Sequence, residues 1–315
     1  MTDRPTAETG GVDDDAGESD TAGGTDASPE RAEDRERIDT DGEAGDYRPD
    51  MLRVMTYNVR YANPNDGENV WPNRRDHVAT AIRFHKPDLV GLQEAVHGQL
   101  EDLRTRLPDF EWLAAGRPAE GTAGEYVPIG YRRNRFEPAD DGSFWLSETP
   151  DAPGRGWDAA LPRLVHYVRF RDRATGVAFR HFNTHFDHRG GTARRRSAEL
   201  LRDRVDELAS DDPIVVTGDF NSRESTEPYR VLTEEGGHRR SLTDTHRISK
   251  HPHHGPSTSM TDFGNLIPQK KIDHVLVSPG AEVINHGSCS DTYGDGRYPS
   301  DHLPVVADVS LPDRR

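Results

Sequence analysis

The sequence predicts an α+β fold of two packed mixed sheets with helices on the outside. Three observations carry this. Apolar runs of strand length alternate with amphipathic helical stretches near both ends of residues 51–315. The middle of that span reads as consecutive strands, and no stretch repeats.

In order, MLRVMTYNVRY places Leu52, Val54 and Met55 in a strand that ends at Asn58. RRDHVATAIRFHK sets Val78, Ile82 and Phe84 or His85 near one helical face, and Pro87 stops it. DLVGLQE is a short buried strand ending at Glu94, and VHGQLEDLRTRL is a second helix stopped by Pro108. From roughly 111 to 185, aromatic and β-branched residues between Gly and Pro breaks predict strands in EYVPIGYRRNRFEPADDGSFWLSE, RLVHYVRFRD and GVAFRHFNTHF, with RDRATG as a hairpin turn. RRRSAELLRDRVDELA is a helix with Ala198, Leu201, Val205 and Leu208 on one face. PIVVTGDF, KIDHVLVS and LPVVADVSL are three further strands.

Residues 1–50 differ in kind. They carry 17 acidic side chains against 5 arginines, so −12 of the overall −16 lies there and residues 51–315 sum to −4. With almost no large apolar side chain before Ile38, this segment has too little surface to bury to offset its conformational entropy. We expect a disordered acidic N-terminal tail over 1–50 and one domain over 51–315. The start has neither the basic opening nor the apolar run of a signal peptide, and no stretch approaches the roughly 18–20 apolar residues of a membrane span. A single cysteine, Cys289, excludes an internal disulfide and fits a reducing compartment, so the expected location is cytoplasmic.

Several strands end in polar residues that core packing does not require: Asn58, Glu94, His185, Asp219 and Asn221. Asp273 and His274 lie inside KIDHVLV, and Asp301 and His302 directly precede LPVVADV. Taken singly, each has a plain structural reading as a turn, cap or surface residue. Glu94 is the hardest to explain that way, because a carboxylate beside a buried strand needs a partner. In PIVVTGDFNS, Phe220 alternates away, so Asp219 and Asn221 share a face. The chain has no GxSxG, CxxC or GxxxxGKS motif. Hard oxygen ligands such as Glu94 and Asp301 suit Mg2+, with Mn2+ as a substitute. Imidazoles beside carboxylates suit acid–base work on a phosphate ester.

The segments TYNVRY, LQEA, NTHFDH, GDFNS, KIDHVLVS and SDHLPV occur in that order, and the span from about 52 to 311 resembles the endonuclease/exonuclease/phosphatase superfamily. These are magnesium phosphohydrolases that include DNase I-like nucleases, abasic-site endonucleases, sphingomyelinases and inositol phosphatases. The resemblance implies a four-layer α/β/β/α sandwich with the site at one end of both sheets. It implies Asn58, Glu94 and Asp301 at the metal, and Asp219 with Asn221 orienting water and phosphate. It also implies Asp273 and His302 as a carboxylate–imidazole dyad, with His185 on the phosphate or the leaving oxygen. It further implies Tyr131 near the phosphate; separately, because a guanidinium fork matches phosphate oxygens, Arg189 or Arg194 is expected to contact substrate phosphate. Whether Asp219 or His302 is the base stays open.

The expected function is magnesium-dependent hydrolysis of a phosphodiester or phosphomonoester by in-line attack of water. The alternatives are a DNA-processing nuclease and an inactive phosphate-binding module. Nucleic acid is a partner that the charge does not favour, since residues 51–315 lack a net basic balance. Oligomeric state is not specified. KHPHHGP, at 251, 253 and 254, reads as a mobile loop before it reads as a metal site, and Arg194–Arg196 read as a solvated helix face. Trp71 is a candidate for the cleft mouth.

Overall fold

The structure, a computed structural model, describes residues 50–116, 124–234 and 241–313. The expected tail, apart from Asp50, lies outside them. Among the described residues the chain forms β1 (Met51–Asn58), α1 (Trp71–His85), β2 (Leu89–Gln93), β3 (Ala95–Val96), α2 (His97–Arg106), β4 (Phe110–Leu113), β5 (Glu125–Tyr126), β6 (Ile129–Arg132), β7 (Phe136–Trp145) and β8 (Leu164–Asp172). It continues with β9 (Ala178–His185), α3 (Gly191–Leu208), β10 (Ile214–Asp219), α4 (Glu227–Thr233), β11 (Thr243–Asp244), α5 (Thr245–Ile248), β12 (Asp273–Val277), β13 (Glu282–Ser288) and β14 (Val305–Ser310).

Two six-stranded sheets result, in the orders β13-β14-β1-β2-β6-β4 and β11-β12-β10-β9-β8-β7, with β3 and β5 as a separate pair. Both are mixed: β1 runs parallel to β2 and antiparallel to β14, while β10 runs parallel to β9 and antiparallel to β12.

Strand alternation explains the layering. Leu52 and Val54 point into a core shared with Phe170, Phe179, Val215 and Val275 of the other sheet. Met55 and Tyr57 point the opposite way, onto Val78 and Ile82 of α1 and Leu100 and Leu103 of α2. The second sheet repeats the scheme, with Phe182, Ile214 and Val216 against Ala198, Leu201 and Val205 of α3. Strands buried on both faces read as continuous apolar runs, which is why LVGLQ and PIVVTG carry no alternation. The order of layers is α/β/β/α, as the sequence predicts.

Three local features differ from the sequence reading. β13 was not legible, because Asn285, His286 and Gly287 interrupt its apolar pattern. The short helix α4, with Pro228 in its first turn, was also missed. KHPHHGP is no free loop: the amides of Lys250, His251 and His254 bond to carbonyls of Val283, Ile284 and His286, laying it along β13.

Gly91 shows how closely the sheets approach. A Cβ there would lie 2.1 Å from the Thr217 hydroxyl oxygen and 2.5 Å from the Asn183 amide oxygen on the facing sheet. The gap is filled by hydrogen bonds instead, with Gln93 donating to Asn183 at 2.8 Å. This polar layer lies just beneath the site.

Candidate active site

Register places the polar residues. In the second sheet Asp219 of β10 pairs with His185 of β9 on one side and with Asp273 of β12 on the other. Three adjacent strands therefore set His185, Asp219 and Asp273 in one row. In the first sheet Asn58 pairs with Gln93, so Glu94 follows directly, while Asp301 and His302 lead into β14, antiparallel to β1. The two edges meet where the Asn58 amide nitrogen donates to Asp219 Oδ2 at 3.1 Å and to Glu94 Oε1 at 3.1 Å. Asn58 is fully buried, so its two donors have no water to satisfy them.

Asp219 does two things. Its Oδ1 accepts the Asn221 backbone amide at 2.8 Å, which is the turn-capping role. Its Oδ2 faces the site, 3.4 Å from His185 Nε2 and 3.7 Å from His302 Nε2. Burial, and then the neighbouring Asp273 charge, push the Asp219 carboxyl up from its ordinary range. Asn221 takes a left-handed backbone, φ 47°, which asparagine tolerates. That turn aims its amide nitrogen at Phe186 O, 3.0 Å, and at His185 Nε2, 3.2 Å.

His302 Nδ1 lies 2.9 Å from Asp273 Oδ2. Burial works against its charge, but Asp273, Asp219 and Asp301 outweigh it and raise the imidazole to about 10. Ligand-type atoms of Asp219, Asp273 and His302 lie within 4.8 Å of one another. With His302 charged, that cluster already holds its own cation.

The oxygen-rich side lies beside it. Glu94 sits at φ 63°, an unusual conformation for a residue with a side chain, and accepts the Tyr61 amide on Oε2 at 3.1 Å. Burial and the nearby Glu94 charge raise the Asp301 carboxyl, against lowering by His302 and Arg60. Glu94 and Asp301 are the carboxylates on this side; Arg60 lies 3.8 Å from Asp301, and the Asn58 oxygen accepts the Arg60 backbone amide at 3.0 Å. Carboxylate oxygens fit a hard divalent cation.

Two expected substrate contacts fare differently. Tyr131 is not at the site. It is 2% exposed in the core between the sheets, pairs with Leu89 at the far end of β2 from Glu94, and donates to Glu111 at 2.8 Å. The reason is direction: β6 is antiparallel to β2, so the beginning of β6, not its end, lies toward Glu94. Arg189 is exposed in the loop after β9, with its backbone amide on Asp187 at 2.9 Å. Trp71 is buried among the α1 and α2 core residues, and its indole donates to Asp102 at 2.9 Å.

Sequence reasoning missed the supports. Arg74, fully buried, donates to the carbonyls of Val59, Arg60 and Tyr61 and fixes the loop after Asn58. Ser300 donates to Asn58 O at 2.8 Å and ties the two site segments together. Burial would raise Asp187, but the amides of Gly190, Arg189, Ala160 and Leu161 hold it at about 2. It thereby clasps the loops on the His185 side, where Arg163 meets His188 at 3.2 Å. Asp187 and Ser300 lie inside NTHFDH and SDHLPV, but what each of these residues does rests on backbone partners that residue identity does not reveal.

The model of the Endonuclease/Exonuclease/phosphatase family matches residues 55–302, which contain every one of these strand ends. The chain belongs to this family. An endonuclease/exonuclease/phosphatase family protein from Bacteroides vulgatus is 37% identical, covering 83% of this chain and 99% of that one, with a TM-score of 0.78. A mannosyl-6-phosphatase from Bacteroides thetaiotaomicron is 34% identical over 82% of this chain and 99% of that one, with a TM-score of 0.77. An uncharacterised protein of Acanthamoeba polyphaga mimivirus is 28% identical over 81% of this chain and 98% of its own length. Members of the endonuclease/exonuclease/phosphatase family act on phosphate esters. No helix among the described residues is long and apolar enough to cross a membrane.

Proposed function

We propose that this chain is a divalent-metal-dependent phosphoester hydrolase using the Asn58–Asp219 junction as its centre. The observation that carries this reading is the meeting of two unlike half-sites at that 3.1 Å hydrogen bond. One half is an oxygen donor set; the other is an Asp–His–Asp cluster with a charged imidazole.

Glu94 and Asp301, with Asn58 between Glu94 and Asp219, would hold Mg2+, or Mn2+ in its place. When bound, the metal stabilises charge on the phosphoryl and leaving oxygens. The chain's own residues do the rest. Asp219 Oδ2 accepts a proton from water, since its Oδ1 is committed to the turn. Asn221 and His185 bracket the phosphate on the other side of Asp219. Asp273 orients the His302 ring and favours its charged form, leaving Nε2–H to donate to the phosphoryl group. The 34% identity to a mannosyl-6-phosphatase supports monoester rather than diester cleavage. The charge of −4 over residues 51–315 weighs against a nuclease, and the completeness of the chemical set weighs against an inactive binding module. A cytoplasmic location remains part of the reading.

The test is turnover of an aryl phosphate and an aryl phosphodiester with Mg2+ and with EDTA, for the wild type, Glu94→Ala and His302→Ala. Both folded variants should lose at least 100-fold in kcat/KM. Near wild-type turnover in either would overturn the assignment.

A further inference from the structure

Beside Asn221 a cavity of about 420 Å3 opens between the first turns of α3 and α4. Its volume is within the roughly 300–1,000 Å3 of small-molecule sites. Asn221 lines it and also stands 3.2 Å from His185 Nε2, so the cavity adjoins the position assigned to the phosphate. The other walls are Thr192, Arg194, Arg195, Thr226 and Glu227.

The lining chemistry selects among leaving groups. Arg195 pairs with Glu199 and Glu227, each at 3.0 Å, so its charge is met within the protein. Arg194 donates to Asp187 O at 3.0 Å and keeps further guanidinium donors. The α3 amides of Thr192 and Ala193 are taken by Asp158, so they offer nothing to a second anion. What remains is the Arg194 guanidinium as donor, the Glu227 Oε2 that Arg195 does not take, and two threonine hydroxyls. No lining residue is aromatic, so a nucleobase has no ring to stack on, and Pro228 alone offers no bed for an acyl chain.

We infer that this cavity receives the polyhydroxylated part of the substrate, so that the chain acts on a sugar phosphate, with Arg194 and Glu227 binding ring hydroxyls. Neighbouring hydroxyls present donors and acceptors side by side, which matches an arginine of α3 and a glutamate of α4 lining one cavity. The inference rests on the phosphoester hydrolase reading.

The test compares kcat/KM for a hexose phosphate, a nucleoside monophosphate and p-nitrophenyl phosphate in the wild type, Arg194→Ala and Glu227→Ala. Glu227 is exposed, so its replacement leaves folding intact. The hexose phosphate should be preferred, and each variant should lose about tenfold more on it than on p-nitrophenyl phosphate, mainly in KM. Equal losses on all three substrates, or a preference for the nucleotide, overturn the sugar assignment while leaving the hydrolase reading standing. No turnover of any of the three overturns both.

Discussion

His302 Nδ1 stands 2.9 Å from Asp273 Oδ2, and this contact sets the state of the site. The carboxylate orients the ring and favours its charged form, which outlasts neutral pH because the imidazole is raised to about 10. Asp273→Asn keeps the shape and removes the charge. It should lower kcat by about 100-fold, because the charged donor that His302 presents to the phosphoryl group is lost. Histidine ring NMR should show His302 titrating well below its wild-type value. An unchanged titration would mean that Asp219 and Asp301 hold the charge without Asp273.

The Asn58 contacts predict a metal-linked stability effect. Asn58→Asp sets a third carboxylate 3.1 Å from the oxygens of Glu94 and Asp219. In EDTA the variant should be about 2–4 kcal/mol less stable than wild type, because a buried charge is added without a partner. Excess Mg2+ should recover much of this. In the wild type, Mg2+ at 100 times its Kd should add about 2.7 kcal/mol. Thermal melts with and without Mg2+ decide: a variant that gains no more than wild type would place the cation elsewhere.

Tyr131 supplies a control. Its hydroxyl bonds to Glu111 and its ring packs against Phe170, both away from Glu94. Tyr131→Phe should cost about 1 kcal/mol of stability and leave kcat/KM within about twofold of wild type. A tenfold loss of activity in this variant would contradict the core placement.

The contrast between Tyr131 and Asp219 shows what sequence could reveal. Asp219, Glu94 and Asn58 each follow an apolar run, and parallel neighbours carry those ends to one edge, so position in the run predicts position in the site. Tyr131 also lies near the end of a strand, but β6 runs the other way, and strand direction is set by pairing rather than by composition. The double role of Asp219, capping with one oxygen and facing the site with the other, likewise needed coordinates. Ser300 opens SDHLPV, but its role and that of Arg74 were illegible for a further reason: their partners are backbone carbonyls, which leave no trace in residue identity. β13 escaped because an edge strand is held by hydrogen bonds and tolerates Asn285 and His286, so its apolar signal is weak.

The polar layer between the sheets predicts acid sensitivity independent of catalysis. Burial lowers His181 to about 3 and His166 to about 4, and both are almost wholly enclosed. The unfolded chain takes these protons near pH 6.5, whereas the folded chain refuses them until much lower pH. Their neutral forms therefore favour folding fully above about pH 6.5, and that advantage is lost as the pH falls toward the folded values. Each histidine should remove about 3 kcal/mol between pH 6.5 and 4. Urea unfolding across this range should show proton uptake from both. His181→Gln can keep a hydrogen bond to Thr217, now 2.8 Å from the imidazole, but cannot titrate. It should take up about one proton fewer on unfolding at pH 5. An identical pH slope in the variant would mean that His181 is already protonated in the native state, and that the layer beneath the site carries a charge.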